Sequence, residues 1–166
     1  NPIANGAPRD WPLDLERPGF RLPTEAEWEI ASRANSRTIY GFGSDEALLG
    51  QFSWFQGNSD RRAHTVRERR PSLRGLFDLH GNVAERVHDW HIDFTSSKAI
   101  DPLGPKEGWS RILRGGSWLK IAAACRSSLR DGFDPNSRSF DGGLRLAMSL
   151  PAEVVGSEPG KEDEGE

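Results

Sequence analysis

The chain has 166 residues and a net charge of −3, which fits one domain with short tails and gives no reason to expect general affinity for nucleic acid. Hydrophobic residues make up only 35% of it, yet 6 Trp and 8 Phe supply apolar area for a core, and 18 Gly with 11 Pro favour a loop-rich fold over a helical bundle or a doubly wound sheet. No apolar run is long enough to span a membrane, and the single cysteine, Cys125, excludes an intrachain disulfide, so the compartment stays undetermined.

The first helix is predicted at residues 24–34. Thr24 supplies an N-cap hydroxyl and Glu27 follows three residues later, which is the capping-box pattern. Ala26, Ile30 and Ala34 then recur at helical spacing. The preceding stretch is rich in proline and is predicted to be irregular.

Later elements are short and are separated by glycines. Residues 51–56 fit either a short strand or a packed loop, and residues 57–74 are polar and rich in arginine. Residues 110–114 alternate in polarity and predict a strand that ends at a Gly-Gly pair. Residues 144–148 predict a second strand, and the two strands are expected to pair in a central sheet.

The C-terminal end is acidic. Residues 151–166 contain six carboxylate side chains, with Lys161 as their one basic residue. Apolar residues are almost absent after Val155, so this segment cannot bury enough surface to fold and is predicted to be disordered. The expected division is one domain at 1–150 and an acidic tail at 151–166.

Four segments carry long motifs: residues 21–29 (RLPTEAEWE), 75–83 (GLFDLHGNV), 111–118 (RILRGGSW) and 126–145. In that order and spacing they resemble the formylglycine-generating-enzyme or sulfatase-modifying-factor domain family. The motifs are long and ordered, which makes the resemblance far more specific than one short signature.

The resemblance implies an α+β, formylglycine-generating-enzyme fold that is similar to the C-type lectin fold. Such a domain is loop-rich, with two helices and a small twisted antiparallel sheet. The N-terminal half of the family's domain has no counterpart in this sequence. The chain is therefore expected to be the C-terminal part of the domain, either a fragment or a unit completed by an N-terminal half or a fused domain.

The resemblance also implies what the active members need. They bind copper(I) through two cysteines and oxidise a sulfatase cysteine to formylglycine, and soft thiolates suit Cu(I). Alignment places Ala122 and Ser127 at those two positions, with Cys125 between them. Copper binding and catalysis are therefore not expected, and Cys125 is interpreted as a packing residue.

The family's calcium loop resembles residues 78–85. Carried over, Asp78 and Glu85 would supply carboxylate oxygens, and Gly81 and Val83 would supply backbone carbonyls, which are the hard ligands that calcium prefers. The alternative is a structural turn in which the two carboxylates satisfy local N–H groups. The sequence leaves both interpretations open.

Other candidates carry a weaker signal. His88, His91 and Asp93 could be drawn as an iron site, but surface or loop positions are favoured. The arginine-rich run within residues 57–74 fits a solvated loop better than an anion-binding patch. The arginines of the last motifs are interpreted mostly as structural, since guanidinium groups can serve loop carbonyls.

Ligand contacts are expected at Trp118, Arg126 and Arg130, because the resemblance places them near the family's substrate groove. The function favoured is a non-catalytic module that binds a protein or a small-molecule ligand. One alternative is an oxidoreductase of the family, either a formylglycine generator or a sulfoxide synthase of the ergothioneine type. The other is a truncated copy without function.

Overall fold

The computed structural model describes residues 13–93 and 99–151. The predicted tail therefore lies outside the described residues, except for its first residue. The helical elements are α1 (Glu25–Arg33) and α2 (Leu49–Phe52), with short 3₁₀ turns at Glu46–Leu48 and Ala122–Cys125. The strands are β1 (Gly19–Arg21), β2 (Ala84–Trp90), β3 (Arg111–Arg114), β4 (Asp131–Phe133), β5 (Gly142–Leu144) and β6 (Ala147–Ser149). Within the described ranges, no helix has the length and apolar character needed to cross a membrane.

Helix α1 begins and ends where the sequence predicts. The Thr24 hydroxyl accepts from the Glu27 N–H at 3.2 Å, and the Glu27 carboxylate accepts from the Thr24 N–H at 2.8 Å, so the capping box is complete. Ala34 closes the helix in the left-handed conformation, and its N–H donates to the Ile30 carbonyl. The helix therefore has a fixed start, which places its first turn against the sheet.

The main sheet has four strands in the order β4-β3-β2-β5. The β4–β3 and β3–β2 pairs are antiparallel, whereas β2 and β5 are parallel, with Ala84 opposite Gly142. The sheet is therefore mixed, and the expectation of an antiparallel sheet is wrong for this pair. A parallel neighbour is reached because a long connection, which contains β3 and β4, separates the two strands in sequence.

A second sheet contains only β1 and β6, paired antiparallel with Phe20 opposite Met148. The single strand predicted at residues 144–148 is wrong, because the chain leaves the main sheet after Leu144 and joins β1 from Ala147 onward. Residues 51–56 are likewise not a strand: α2 ends at Phe52 and a loop follows. Residues 142–149 thus contribute one strand to each sheet, β5 to the main sheet and β6 to the second one.

Two small apolar clusters form the core. The first joins α1 to the main sheet through Trp28, Leu79, Val87 and Ile112. The second lies around the 3₁₀ turn at Ala122–Cys125 and contains Tyr40, Leu49, Ala122 and Cys125, with Phe42 and Phe55 packed against it. Tyr40 and Phe42 stack with their ring centroids 5.0 Å apart, which adds aromatic area to this second cluster.

Candidate functional site

A buried charge cluster joins α1 to the sheet, and we define it as Glu25, Glu29, Arg114 and Arg130. The Arg130 guanidinium donates from Nε and Nη2 to the two Glu25 oxygens at 2.7 and 2.9 Å. Arg114 Nη1 lies 3.4 Å from Glu25 Oε1, and its Nη2 donates to Glu29 Oε2. Arg33, one helical turn after Glu29, donates to the other Glu29 oxygen at 2.7 Å. The cluster therefore alternates in sign, and each glutamate contacts two arginines.

Arg114 is the most enclosed member of this cluster. Its side chain has no exposed area, and it also donates to the carbonyls of Ser127 and Leu129 at 2.7 and 2.8 Å. Burial lowers the Arg114 pKa, and the charges of Glu29 and Glu25 oppose that shift. These bonds fix residues 127–129, which form no regular element, against β3.

A cleft of about 450 Å³ opens beside the charge cluster, between α1, the end of β2 and residues 99–105. We call it the α1 cleft. Its apolar walls are Ala26, Ile30, Trp90, Ile92, Pro102 and Pro105. Its charged lining residues are Glu25, Glu29, Arg33, Asp89, Asp93 and Arg130. The volume is within the range of pockets that bind small organic molecules.

Three of the four residues predicted to bind calcium, Asp78, Gly81 and Val83, lie in the loop that precedes β2, and the fourth, Glu85, is the second residue of that strand. Gly81 has φ of +154°, and a Cβ there would lie 2.2 Å from the Trp54 carbonyl oxygen, so only glycine fits. Asp78 Oδ2 accepts from the Arg67 N–H at 2.9 Å, whereas its Oδ1 is buried without a hydrogen-bond partner. Val83 is half-buried against Gly143.

Glu85, the fourth of these residues, already has a cationic partner. Arg145 donates to its Oε2 and Oε1 at 2.8 and 2.6 Å, and Trp28 Nε1 donates to Oε2 at 2.7 Å. Burial raises the Glu85 pKa, while the bonds and charge of Arg145 lower it. In the part of the chain that the structure describes, no group of three or more His, Cys, Asp or Glu side chains could hold a metal ion. Calcium binding at this loop stays a prediction.

Cys125 lies in the second core cluster. The thiol is fully buried and donates weakly to the Ile121 carbonyl at 3.6 Å. Burial raises its pKa to about 12, so the thiolate that attacks or binds a soft metal is scarce at neutral pH. Ala122 packs in the same cluster, and Ser127 is buried with its hydroxyl accepting from Ser32 at 3.2 Å. That Ala122 and Ser127 correspond to the family's cysteines stays a prediction.

The three residues predicted to contact a ligand occupy different surroundings. Trp118 is half-buried beside the exposed Phe140, with the ring centroids 6.0 Å apart, and its Nε1 has no hydrogen-bond partner. Arg126 donates to the Ala123 carbonyl at 2.6 Å, whereas Arg130 lines the α1 cleft. The described contacts therefore do not join the three into one site, and their ligand role stays a prediction.

The candidates with weaker signals have ordinary packing roles. His88 lies on β2, where its N–H donates to the Pro23 carbonyl, and its own carbonyl accepts from Arg111. Within the arginine-rich run, Arg69 stacks over Trp54 at 3.5 Å, and His64 stacks on the same indole at 3.7 Å. The run therefore contributes packing as well as solvated charge.

Sequence reasoning missed strand β2 and the α1 cleft that lies at its end. The β2 sequence AERVHDW is mostly charged or polar, so no apolar period marks it as buried. Its carboxylates are nevertheless inside, because Glu85 is bound by Arg145, and the Glu25 N–H donates to Asp89 Oδ2 at 2.6 Å. The one available signal was Trp90, which ends the strand.

The chain belongs to the sulfatase-modifying-factor family: the model of the "Sulfatase-modifying factor enzyme 1-like domain" matches residues 4–150. Its fold, with few helices and small mixed sheets among long loops, fits that membership. The predicted family is confirmed, and so is the loop-rich α+β class.

Three relatives show how far the likeness extends. The chain is 35% identical to the formylglycine-generating enzyme of Streptomyces coelicolor, covering 78% of this chain and 46% of that one. It is 33% identical to the serine/threonine-protein kinase Pkn1 of Chlamydia trachomatis, covering 80% of this chain and 22% of the kinase. The solved structure of Treponema denticola variable protein 1 aligns with a TM-score of 0.80 at 39% identity, covering 83% of this chain and 50% of that protein. The chain thus spans about half, or less, of the relatives it matches.

Proposed function

We propose that this chain is a non-catalytic member of its family, a module that binds a protein or small-molecule ligand without the family's oxidase chemistry. The observation that carries the proposal is the state of its single cysteine. Cys125 is fully buried in the core, and its pKa is raised to about 12. A copper(I) site of two thiolates needs a second cysteine, and the sequence contains none.

Two features support the binding role. The half-buried Trp118 contacts the exposed Phe140, with the ring centroids 6.0 Å apart, and the two rings form an aromatic surface. Tryptophan is well suited to ligand contacts, because its ring offers a large apolar area. The kinase relative also supports the proposal, because a domain like this one occurs there within a longer chain that is named as a protein kinase.

The experiment is a direct search for the oxidase reaction. The purified chain is incubated with copper(I), oxygen and a peptide that contains Cys-x-Pro-x-Arg, and the peptide mass is followed. We expect no conversion of the thiol to an aldehyde, with the formylglycine-generating enzyme of Streptomyces coelicolor as positive control. Conversion by this chain would refute the non-catalytic assignment.

Copper binding provides a second readout that does not depend on the substrate. Competition with a copper(I) chelator is measured for the wild type and for Cys125→Ser. We expect the same weak competition from both proteins, because the buried thiol is not available as a ligand. Tight one-to-one binding that Cys125→Ser abolishes would contradict the proposal.

We further propose that part of the chain's surface is covered by a segment equivalent to the part of the relatives that this chain does not match. Phe20, Leu146, Met148 and Leu150 are exposed on and beside the β1–β6 sheet, and we call them the apolar face. A sheet of two strands is marginal by itself and gains stability when an apolar face is covered. The relatives have about as much chain again as they share with this one.

A further inference from the structure

The α1 cleft combines apolar walls with unbalanced negative charge. Its two arginines, Arg33 and Arg130, are bonded to lining glutamates, Arg33 to Glu29 and Arg130 to Glu25. The other two lining carboxylates, Asp89 and Asp93, have no ion pair among the described residues. Arg114, which does not line the cleft, contacts both glutamates as well, so three arginines are set against four carboxylates and one negative charge is in excess.

Of the two lining carboxylates without an ion pair among the described residues, Asp89 is the buried one. Only 4% of the residue is exposed, and burial raises its pKa. Its Oδ2 accepts from the Glu25 N–H at the start of α1, whereas no other described residue donates a hydrogen bond to its Oδ1. Gly104 allows the loop to approach this oxygen, since a Cβ there would lie 2.9 Å from it. The Asp89 N–H and the charge of Arg130 stabilise the carboxylate in part, and a donor of a ligand in the cleft could add a hydrogen bond to this oxygen.

We propose that the α1 cleft binds an organic cation that has an apolar body, with its ammonium or guanidinium group on Asp89. The proposal deepens the binding role proposed above and rests on it. Ile30 and Ile92 contribute exposed apolar area at the entrance, and Trp90 and the prolines supply the walls for the ligand's body. A charge-assisted hydrogen bond to a carboxylate is roughly twice as strong as a neutral one.

The geometry disfavours two other kinds of ligand. An anion would need a guanidinium group, and those of Arg33 and Arg130 are bonded to glutamates. A metal ion would need several convergent ligands, and among the residues that the structure describes no such group of His, Cys, Asp or Glu exists. An amine or guanidinium group needs only the Asp89 carboxylate and an apolar wall.

The test compares three probes of one shape: phenethylamine, phenylethanol and phenylacetate. Each is titrated into the full 166-residue chain, and chemical-shift changes of amides in α1 and at the end of β2 are followed. We expect phenethylamine to bind at least about tenfold more tightly than phenylethanol, which is the size of one charged hydrogen bond. Equal binding of the amine and the alcohol, or stronger binding of phenylacetate, would overturn the proposal.

Variants show whether Asp89 is the recognising group. Asp89→Asn keeps an oxygen for the Glu25 N–H but removes the charge, and it should weaken phenethylamine binding about tenfold. Asp131→Asn, which removes an exposed carboxylate paired with Lys120, is the matched control and should leave the affinity unchanged. Equal affinities for the wild type and Asp89→Asn would overturn the proposal.

A second variant covers the case in which Asp89→Asn fails to fold. Ala26→Phe fills the cleft from a half-buried position on α1 and keeps all charges. It should abolish the amine's shifts, and unchanged shifts would contradict the site. N-acetyl-lysine methylamide and N-acetyl-arginine methylamide then separate a peptide side chain from a small amine as the source of the cation. Failure of the cation test leaves the formylglycine assay unaffected, so the two proposals can fail separately.

Discussion

Two regions of this molecule differ in how completely their own residues cover them. In the main sheet, Arg111, Ile112 and Arg114 of β3 are buried, and α1 covers them from one side. In the β1–β6 sheet, Phe20 and Met148 face each other in register and are 75% and 53% exposed. The first region is packed within the chain, whereas the second exposes apolar area.

The difference shows how arginine side chains can stabilise a fold that is rich in loops. Phe77 and residues 127–129 lie in loops outside the strands, so their carbonyls need donors other than the sheet ladders. Guanidinium groups supply them: Arg114 serves Ser127 and Leu129, and Arg145 donates to the Phe77 carbonyl at 2.7 Å. At the β1–β6 sheet, Arg21 donates to the Ser149 hydroxyl at 2.8 Å and to the Leu22 carbonyl at 3.2 Å.

The largest effect is expected in the main sheet and the helix α1 that covers it, which we call the covered region. Arg114→Met keeps the length of the side chain but leaves Glu25 and Glu29 without one of their cations, and the Ser127 carbonyl without its donor. Removing one partner of a buried ion pair typically costs about 3–5 kcal/mol. We expect a loss of that size in the free energy of unfolding, measured by urea denaturation.

Arg33→Met is the matched control, since Arg33 bonds the same Glu29 from a partly exposed position. A partly exposed pair is worth about 0–1 kcal/mol. A loss below about 1 kcal/mol for Arg114→Met would contradict the structural role of the charge cluster. A wild-type chain without any cooperative transition would show that the covered region does not fold on its own.

The sequence predicts local features of the covered region and misses the long-range ones. Thr24 and Glu27 lie three residues apart and identify the start of α1, and the alternation before the Gly-Gly pair identifies β3. Glu85 and Asp89 of β2 instead depend on Arg145 and on the Glu25 N–H, which are about sixty residues away. A local pattern cannot reveal such partners, so the strand and the α1 cleft were missed.

Calcium bound at the loop that leads into β2 would increase the difference in stability between the covered region and the β1–β6 sheet. Asp78 Oδ1 is buried and has no hydrogen-bond partner, but calcium could use Glu85 only if Arg145 moved away. If the predicted site is used, calcium at about 100 times its dissociation constant should stabilise the chain by about 2.7 kcal/mol, seen as a rise of several degrees in Tm.

Asp78→Asn and Glu85→Gln should each abolish that rise, while Glu68→Gln, in an exposed carboxylate, should not. An unchanged calcium response in Glu85→Gln would refute the loop as the site. A wild type whose Tm is insensitive to calcium would leave the turn a purely structural one, with Glu85 held by Arg145.

A smaller effect tests the buried histidine that packs against the second core cluster. His80 Nε2 accepts from the Gly41 N–H at 3.1 Å, so Nδ1 carries the proton and donates to the Cys125 carbonyl at 2.9 Å. Burial lowers the His80 pKa to about 4. Because the unfolded histidine has a higher pKa, its contribution to stability is complete above about pH 6.5 and is lost as the pH falls towards 4.

Between pH 7 and pH 5 this contribution should fall by about 2 kcal/mol in the wild type and be absent in His80→Gln. Urea denaturation at both pH values measures it as the difference between the two proteins. Glu85 and Asp89, whose pKa values are raised, favour the folded state at low pH, but they are present in both proteins and cancel. Equal slopes for the wild type and His80→Gln would contradict a buried neutral histidine.

The smallest effect on stability, and the most direct test of the comparison, concerns the apolar face. Met148→Lys places a charge opposite Phe20 on an exposed position. Such a change should alter the free energy of unfolding by no more than about 0.5 kcal/mol, because the side chain has few partners to lose. It should nevertheless abolish association with the unmatched half of Treponema denticola variable protein 1, co-expressed with the full chain and measured by co-purification.

Leu73→Lys is the control for this association, since Leu73 is exposed in a loop away from both sheets. It should associate as the wild type does. If neither the wild type nor the control binds the added half, the apolar face is not the surface that the relatives' remaining residues cover. If Met148→Lys binds as well as the wild type, the contact lies elsewhere. A large loss of stability in Met148→Lys would mean that the two-stranded sheet is already packed within this chain, and the contrast between the two regions would disappear.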